Sequence, residues 1–213
     1  MKRFPVLLAA ILLAPAASAA VQPGDRVLLL GDSEAFLLSQ DFPAVLPKDV
    51  TFKSVAFPGS SVISWSERQA REWSLVFSFR PQVILVSLGA NDACQGPFVV
   101  RNEPPFLTRF LAKLRRVGAR EVYWVGPPKI GYPTNDRRQC SASRAVPGLK
   151  LFAEMVQATD VPYLDARTVE IDMWDDKLHC SRPQFPGDTH HGCLTWATWV
   201  WNQVPKSSQA ESR

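Results

Sequence analysis

The chain has 213 residues, 46% of them hydrophobic, and 24 basic against 20 acidic side chains give it a formal net charge of +4. That length fits one domain with room for a full core. So small a positive excess calls for no nucleic-acid partner, and no apolar stretch reaches the about 20 residues that a membrane span needs.

Residues 1–19 read as an export signal outside the fold. Lys2 and Arg3 precede an apolar run from Phe4 to Ala14, and Ala17-Ser18-Ala19 gives the small-x-small pattern of a signal-peptidase site. The mature domain is then residues 20–205, and residues 206–213 form a polar tail without an apolar anchor, expected to be disordered. Export, to a periplasm or out of the cell, allows Cys94, Cys140, Cys180 and Cys193 to pair, with three connectivities open. None of the four has metal-ligand spacing.

The first element is the apolar run Val27 to Leu30, which stops at Gly31-Asp32-Ser33. Period alone does not separate a buried strand from a piece of buried helix here. The ending does, because Glu34 to Val45 carries Phe36, Leu37, Leu38, Phe42 and Val45 at helical spacing, so that strand, turn and helix follow one another. Ser33 then lies at a helix N-terminus, where backbone N–H groups favour negative charge. A serine there is a good nucleophile and an equally good helix cap.

Val50 to Ala56 alternates as a second strand and runs into Phe57-Pro58-Gly59-Ser60-Ser61; residues 66–79 suit a helix. Val83 to Leu88 is a third, β-branched strand ending in Gly89-Ala90-Asn91-Asp92. Phe106 to Val117 is an amphipathic helix, Glu121 to Val125 a fourth strand, Val146 to Ala158 a helix, Val161 to Leu164 a fifth strand, and Leu194 to Val204 a last helix. Alternating strands and helices imply a parallel sheet covered on both faces, an α/β fold. In such a sheet the functional loops lie at the carboxyl ends of the strands. The unusual polar clusters all fall at that edge: Asp32-Ser33, Gly59, Asn91-Asp92 and Asp188-Thr189-His190-His191. A nucleophile, a small-residue turn, an amide and an Asp/His pair are the parts of an acyl-transfer site.

In this order the four blocks resemble those of the SGNH hydrolases, the GDSL esterase and lipase superfamily: Ser33 in Gly-Asp-Ser, Gly59 in the second block, Asn91 in Gly-x-Asn-Asp, and Asp188 with His191 in Asp-x-x-His. The resemblance spans residues 27–191. It implies a three-layer, flavodoxin-like α/β/α sandwich with strand order 2-1-3-4-5 and a Ser-His-Asp triad. Ser33 would attack an ester carbonyl, His191 would take and return its proton, and Asp188 would orient the imidazole. The oxyanion would be held by the backbone N–H groups of Ser33 and Gly59 and by the Asn91 amide. No metal or organic cofactor is called for, since nucleophile, base and donors are all protein groups.

The chain departs from the family pattern in three places. Glu34 follows the nucleophile where an apolar residue is usual, Ser54 stands where the second block often has Asn, and Gly192-Cys193 follow the last block in place of Pro or an apolar residue. Spacing from Asp188 favours His191 as base over His190, which reads as a loop or substrate-facing residue. His179, beside Cys180, shows no partner and reads as structural. If strands three and four are neighbours, Cys94 and Cys140 lie at one edge, where pairing is open to them; Cys180 and Cys193 would then bracket the Asp188/His191 segment, and the other two connectivities stay open.

Substrate is less legible. Lys129, Tyr132, Arg137, Arg138 and Arg144 after the fourth strand suit either an anionic group or plain solvation, and Trp65, Trp174 and Trp196 are of a type that stacks on sugars or fills a core. The absence of a long apolar lid favours short acyl groups. The sequence thus points to an exported serine esterase, expected to be monomeric, for small or carbohydrate-linked esters such as acetyl groups on polysaccharide or peptidoglycan. The alternatives are a lysophospholipase or thioesterase and a glycan-binding module without turnover. An apolar channel beside Ser33 would favour the former.

Overall fold

The computed structural model describes residues 21–128, 140–173, 179–182 and 192–206. The proposed export signal, Asp188, His190 and His191 lie outside these residues, as do Trp174 and most of the basic segment after the fourth strand.

Five parallel strands, β1 (Arg26–Gly31), β2 (Thr51–Ala56), β3 (Val83–Ser87), β4 (Glu121–Val125) and β5 (Tyr163–Leu164), form one sheet in the order β2-β1-β3-β4-β5. The α/β class and the strand order are those expected. Val27, Leu28, Leu29 and Leu30 are all fully buried, because alternate side chains of β1 enter two cores. Val27 and Leu29 meet Leu38 and Phe42 of α1 (Ser33–Val45) and Trp196 and Val200 of α8 (Gly192–Gln203). Leu28 and Leu30 face an aromatic layer of Trp65, Trp73, Phe110, Trp124 and Phe152. That layer comes from α2 (Val62–Glu67), α3 (Ala70–Phe79), α6 (Pro104–Val117), β4 and α7 (Ala142–Gln157). Trp65 meets Trp73 edge-on at 5.7 Å and Phe110 at 6.5 Å between ring centroids, geometries that aromatic pairs favour.

The single helix expected over residues 66–79 is two helices. The Trp73 indole N–H donates to the Trp65 carbonyl at 2.8 Å and Lys113 Nζ donates to the Ser66 carbonyl at 2.6 Å. Side chains thus take the carbonyls that would have carried α2 onward, and the chain turns at Arg68-Gln69. Two short helices, α4 (Ala90–Cys94) and α5 (Pro97–Arg101), follow β3 where no helix was expected. Five residues are too few to show a period. α7 begins four residues earlier than its apolar pattern and continues through Pro147. Its first turns pack Ala145 and Leu149 on Ala93, beside a disulfide between Cys94 and Cys140. A second disulfide joins Cys180 to Cys193.

Before β1, Val21 pairs in parallel with Lys206, its N–H donating to the Pro205 carbonyl at 2.9 Å. Among the described residues no helix is long and apolar enough to cross a membrane.

Candidate active site

The site is built where the strand order reverses, between β1 and β3, the usual position for a ligand in an open parallel sheet. β1 ends at Gly31, where a Cβ would run into the Ser87 carbonyl oxygen of β3, so only glycine lets the two strand ends close. Asp32 then caps α1. Its N–H reaches the Ser87 carbonyl at 3.2 Å, and its Oδ1 accepts from the Glu34 N–H at 2.9 Å. Ser33 is the first residue of α1, with Glu34 buried behind it.

After β2, Gly59 takes a φ of +76°, which a glycine adopts without strain. The next residue ties this turn to the other two. Ser60 Oγ donates to the Gly31 carbonyl at 3.3 Å and accepts from the Trp65 indole at 2.9 Å, and the Ser60 carbonyl accepts from Asn91 Nδ2 at 3.0 Å. Ser54, by contrast, has a buried hydroxyl with no partner among the described residues. The hydrogen bond that the second block lacks at Ser54 is thus not made there, and Ser60 braces the turn.

After β3, Gly89 holds φ +125° against the Phe152 ring, and α4 presents Asn91 and Asp92. Asn91 Nδ2 donates to Asp32 Oδ2 at 3.2 Å as well as to Ser60. Both amide hydrogens are therefore held, one by each of the neighbouring loops. Asp32 is fully buried, and that burial pushes its carboxyl up to about 7 against the opposing Glu34 N–H, with the charge of Asp92 adding to the rise and Asn91 opposing it. Asp92 is fully buried too and accepts from the Val62 N–H at 2.9 Å. Burial raises Asp92, and raises Glu103, at the N-terminus of α6, much further. Asp92 Oδ2 and both Glu103 carboxyl oxygens meet no N–H or O–H donor among the described residues. One proton held on Glu103 and donated to Asp92 satisfies one oxygen of each.

Among the described residues, the histidine beside Ser33 is His179. Its Nε2 lies 3.1 Å from Ser33 Oγ. The expectation that His179 is structural and unpartnered is corrected here, while the residues first expected as base and orienter, His191 and Asp188, lie outside the described segments. A signal was present in the sequence: Asp176-Lys177-Leu178-His179 repeats the Asp-x-x-His spacing of residues 188–191. His179 sits on a short segment fastened on three sides. Cys180 is bridged to Cys193 at the start of α8. Ser181 donates from N to the Asp172 carbonyl at 2.9 Å and from Oγ to Asp172 Oδ2 at 2.6 Å. Arg182 Nε donates to Asp41 Oδ2 of α1 at 2.8 Å.

Trp65 and Trp196 are fully buried, so neither offers a ring to a sugar. Among the described residues no group of three or more His, Cys, Asp or Glu side chains is placed to hold a metal ion.

A serine at a helix N-terminus within hydrogen-bond reach of a histidine, with an amide and a glycine turn at the neighbouring strand ends of an α/β sheet, is an arrangement suited to a hydrolase. A model of the GDSL-like lipase/acylhydrolase family matches residues 18–190, and the chain belongs to that family, within the SGNH hydrolase superfamily; it is a hydrolase of ester bonds. No curated protein matches the chain. Among solved structures it is similar to a lipase/acylhydrolase from Enterococcus faecalis, with 18% identity, a TM-score of 0.58, and 86% of this chain and 100% of that one covered. It is similar also to the psychrotrophic esterase EstA from Pseudoalteromonas sp., with 18% identity, a TM-score of 0.56, and 84% and 95% covered. A carbohydrate esterase of family 3 from Talaromyces cellulolyticus shares 15% identity at a TM-score of 0.55, with 83% and 94% covered. At these identities the likeness is one of fold.

Proposed function

We propose that the protein is an exported serine esterase that cleaves carboxylic esters of small acyl groups, including carbohydrate-linked ones such as O-acetyl groups on polysaccharide or peptidoglycan. The observation that carries the chemistry is the 3.1 Å contact between Ser33 Oγ and His179 Nε2. Ser33 Oγ attacks the ester carbonyl as the imidazole takes its proton. The tetrahedral oxyanion is held by the Ser33 and Gly59 N–H groups and by Asn91, one of whose amide hydrogens exchanges its bond to Asp32 or to the Ser60 carbonyl for one to the oxyanion. Collapse releases the alcohol, which takes the proton back from the imidazole, and water then repeats the sequence on the acyl-enzyme. Asp176, three residues before His179, is the carboxylate proposed to orient it. Export is supported by the basic and apolar leader with its Ala-Ser-Ala site and by two disulfides.

A second assignment of the base, to His191 with Asp188, has one observation behind it. His191 immediately precedes Gly192 and Cys193, and Cys193 is bonded to the neighbour of His179. Hydrolysis of p-nitrophenyl acetate by the mature protein and by Ser33→Ala, His179→Ala and His191→Ala separates the two. Loss of about 10⁴-fold or more in kcat is expected for Ser33→Ala and His179→Ala, with a far smaller loss for His191→Ala. The reverse order of the two histidine variants would move the base to His191. Activity that survives in Ser33→Ala would end the serine-esterase reading.

A further inference from the structure

A groove of about 380 Å³ opens beside the Ser33–His179 pair, and among the described residues the rest of its lining is apolar: Phe36 and Leu37 from α1 and Pro58 from the turn after β2. Helical geometry accounts for it, since positions three and four beyond Ser33 lie on the same face of α1 as the nucleophile. Phe36 is 49% exposed. A large aromatic side chain left half-exposed beside Ser33 is available to contact a bound acyl chain. An acyl carbon bonded to Ser33 Oγ has this wall within reach.

We infer that this groove binds the acyl chain, and that the preferred substrates are esters whose acyl part is an apolar chain longer than acetyl, with Phe36 a specificity-determining residue. The inference rests on the serine-esterase reading and departs from its acetyl preference: an apolar groove beside Ser33 is the feature that favours an acyl hydrolase for longer chains over an acetyl esterase. Each methylene that leaves water for the groove wall stabilises the bound chain. Full burial corresponds to about fourfold per CH₂, and an open groove realises part of that.

The test is the kcat/KM of the mature protein on p-nitrophenyl acetate, butyrate and hexanoate, beside Phe36→Ser and Phe98→Ser. Phe98 is 79% exposed on α5 and outside the groove, and serves as the control for losing a surface phenylalanine. The expected result is a hexanoate-to-acetate ratio of about ten or more, brought close to one by Phe36→Ser and unaltered by Phe98→Ser. A flat or falling profile with Ser33-dependent turnover overturns the groove and leaves the esterase standing. A ratio that Phe36→Ser does not move also overturns it. If no ester is hydrolysed in a Ser33-dependent way, the esterase reading fails by itself, and the groove is then judged by binding of p-nitrophenyl hexanoate to Ser33→Ala. Saturable binding weakened by adding Phe36→Ser supports it, and absence of binding overturns it.

Discussion

Asp32 shows how one side chain joins structure to chemistry. Its two oxygens serve different neighbours, one the helix that carries the nucleophile and the other the Asn91 amide. With its carboxyl raised to about 7, the folded protein keeps a proton that the unfolded chain releases near pH 4. Stability from this group is therefore full below about pH 4 and falls as the pH rises towards 7. Asp32→Asn removes that titration, so its melting temperature should fall less than that of the parent between pH 4 and pH 8. Activity should suffer all the same. Whichever way round the new amide sits, one of its N–H groups meets another donor, either Glu34 N–H or Asn91, and a displaced Asn91 should lower kcat by up to about 10²-fold. At this scale the sequence displayed Ser33, Gly59 and Asn91 through their places at strand ends. Its Asp-x-x-His reading settled on His191 and passed over the pair at 176 and 179, which has the same spacing, and the path of residues 179–182 brings His179 beside Ser33.

Among the elements, the junction of α2, α4 and α6 depends on the Asp92 and Glu103 pair. Asp92 takes the first N–H of α2 from within α4, while Glu103 opens α6. Glu103→Gln keeps a donor for Asp92 and has no proton to lose. Because the native carboxyl is raised and the unfolded one is not, the parent loses the stability that Glu103 contributes as the pH climbs above about 4.5, and the variant is spared that share of the loss. Melting curves should nearly coincide at pH 4 and separate by pH 8, the variant being more stable by about 1–3 kcal/mol, which is roughly 2–12 °C. Equal curves at pH 8 would mean that the pair holds no shared proton. The strands were legible because β1 and β3 are unbroken apolar runs, and α6 because its polar and apolar faces alternate cleanly. The break between α2 and α3 was not, since it arises when the Trp73 indole and Lys113 claim carbonyls that local sequence would assign to the helix. α4 and α5 left no trace for the simpler reason that a helix of one turn has no period.

In the molecule as a whole, the histidine side of the site is held by cross-links and the serine side by the sheet. The Cys180–Cys193 bridge closes a loop of about 14 residues, worth about 3 kcal/mol in the chain-entropy model. Replacing both cysteines by Ser should lower the melting temperature by roughly 6–12 °C. The same variant should lose turnover well below its melting point, because His179 is the residue next to the released cysteine. A thermal scan beside kcat at 20 °C checks both, and full activity in the unbridged protein would show that Ser181 and Arg182 suffice to hold the segment.

The bridge between Val21 and Lys206 carries a practical consequence. β1 runs from this end of the sheet to Ser33 over six residues, about 20 Å of strand. Whatever is attached before Val21 or after Lys206 thus leaves from one shared spot, away from the edge where esters are cut. An affinity tag, a surface tether or a fused binding domain at either position would hold the protein by its back, with the cleft facing outward. Joining the two by a short linker would give a circular permutant whose new ends can be opened elsewhere.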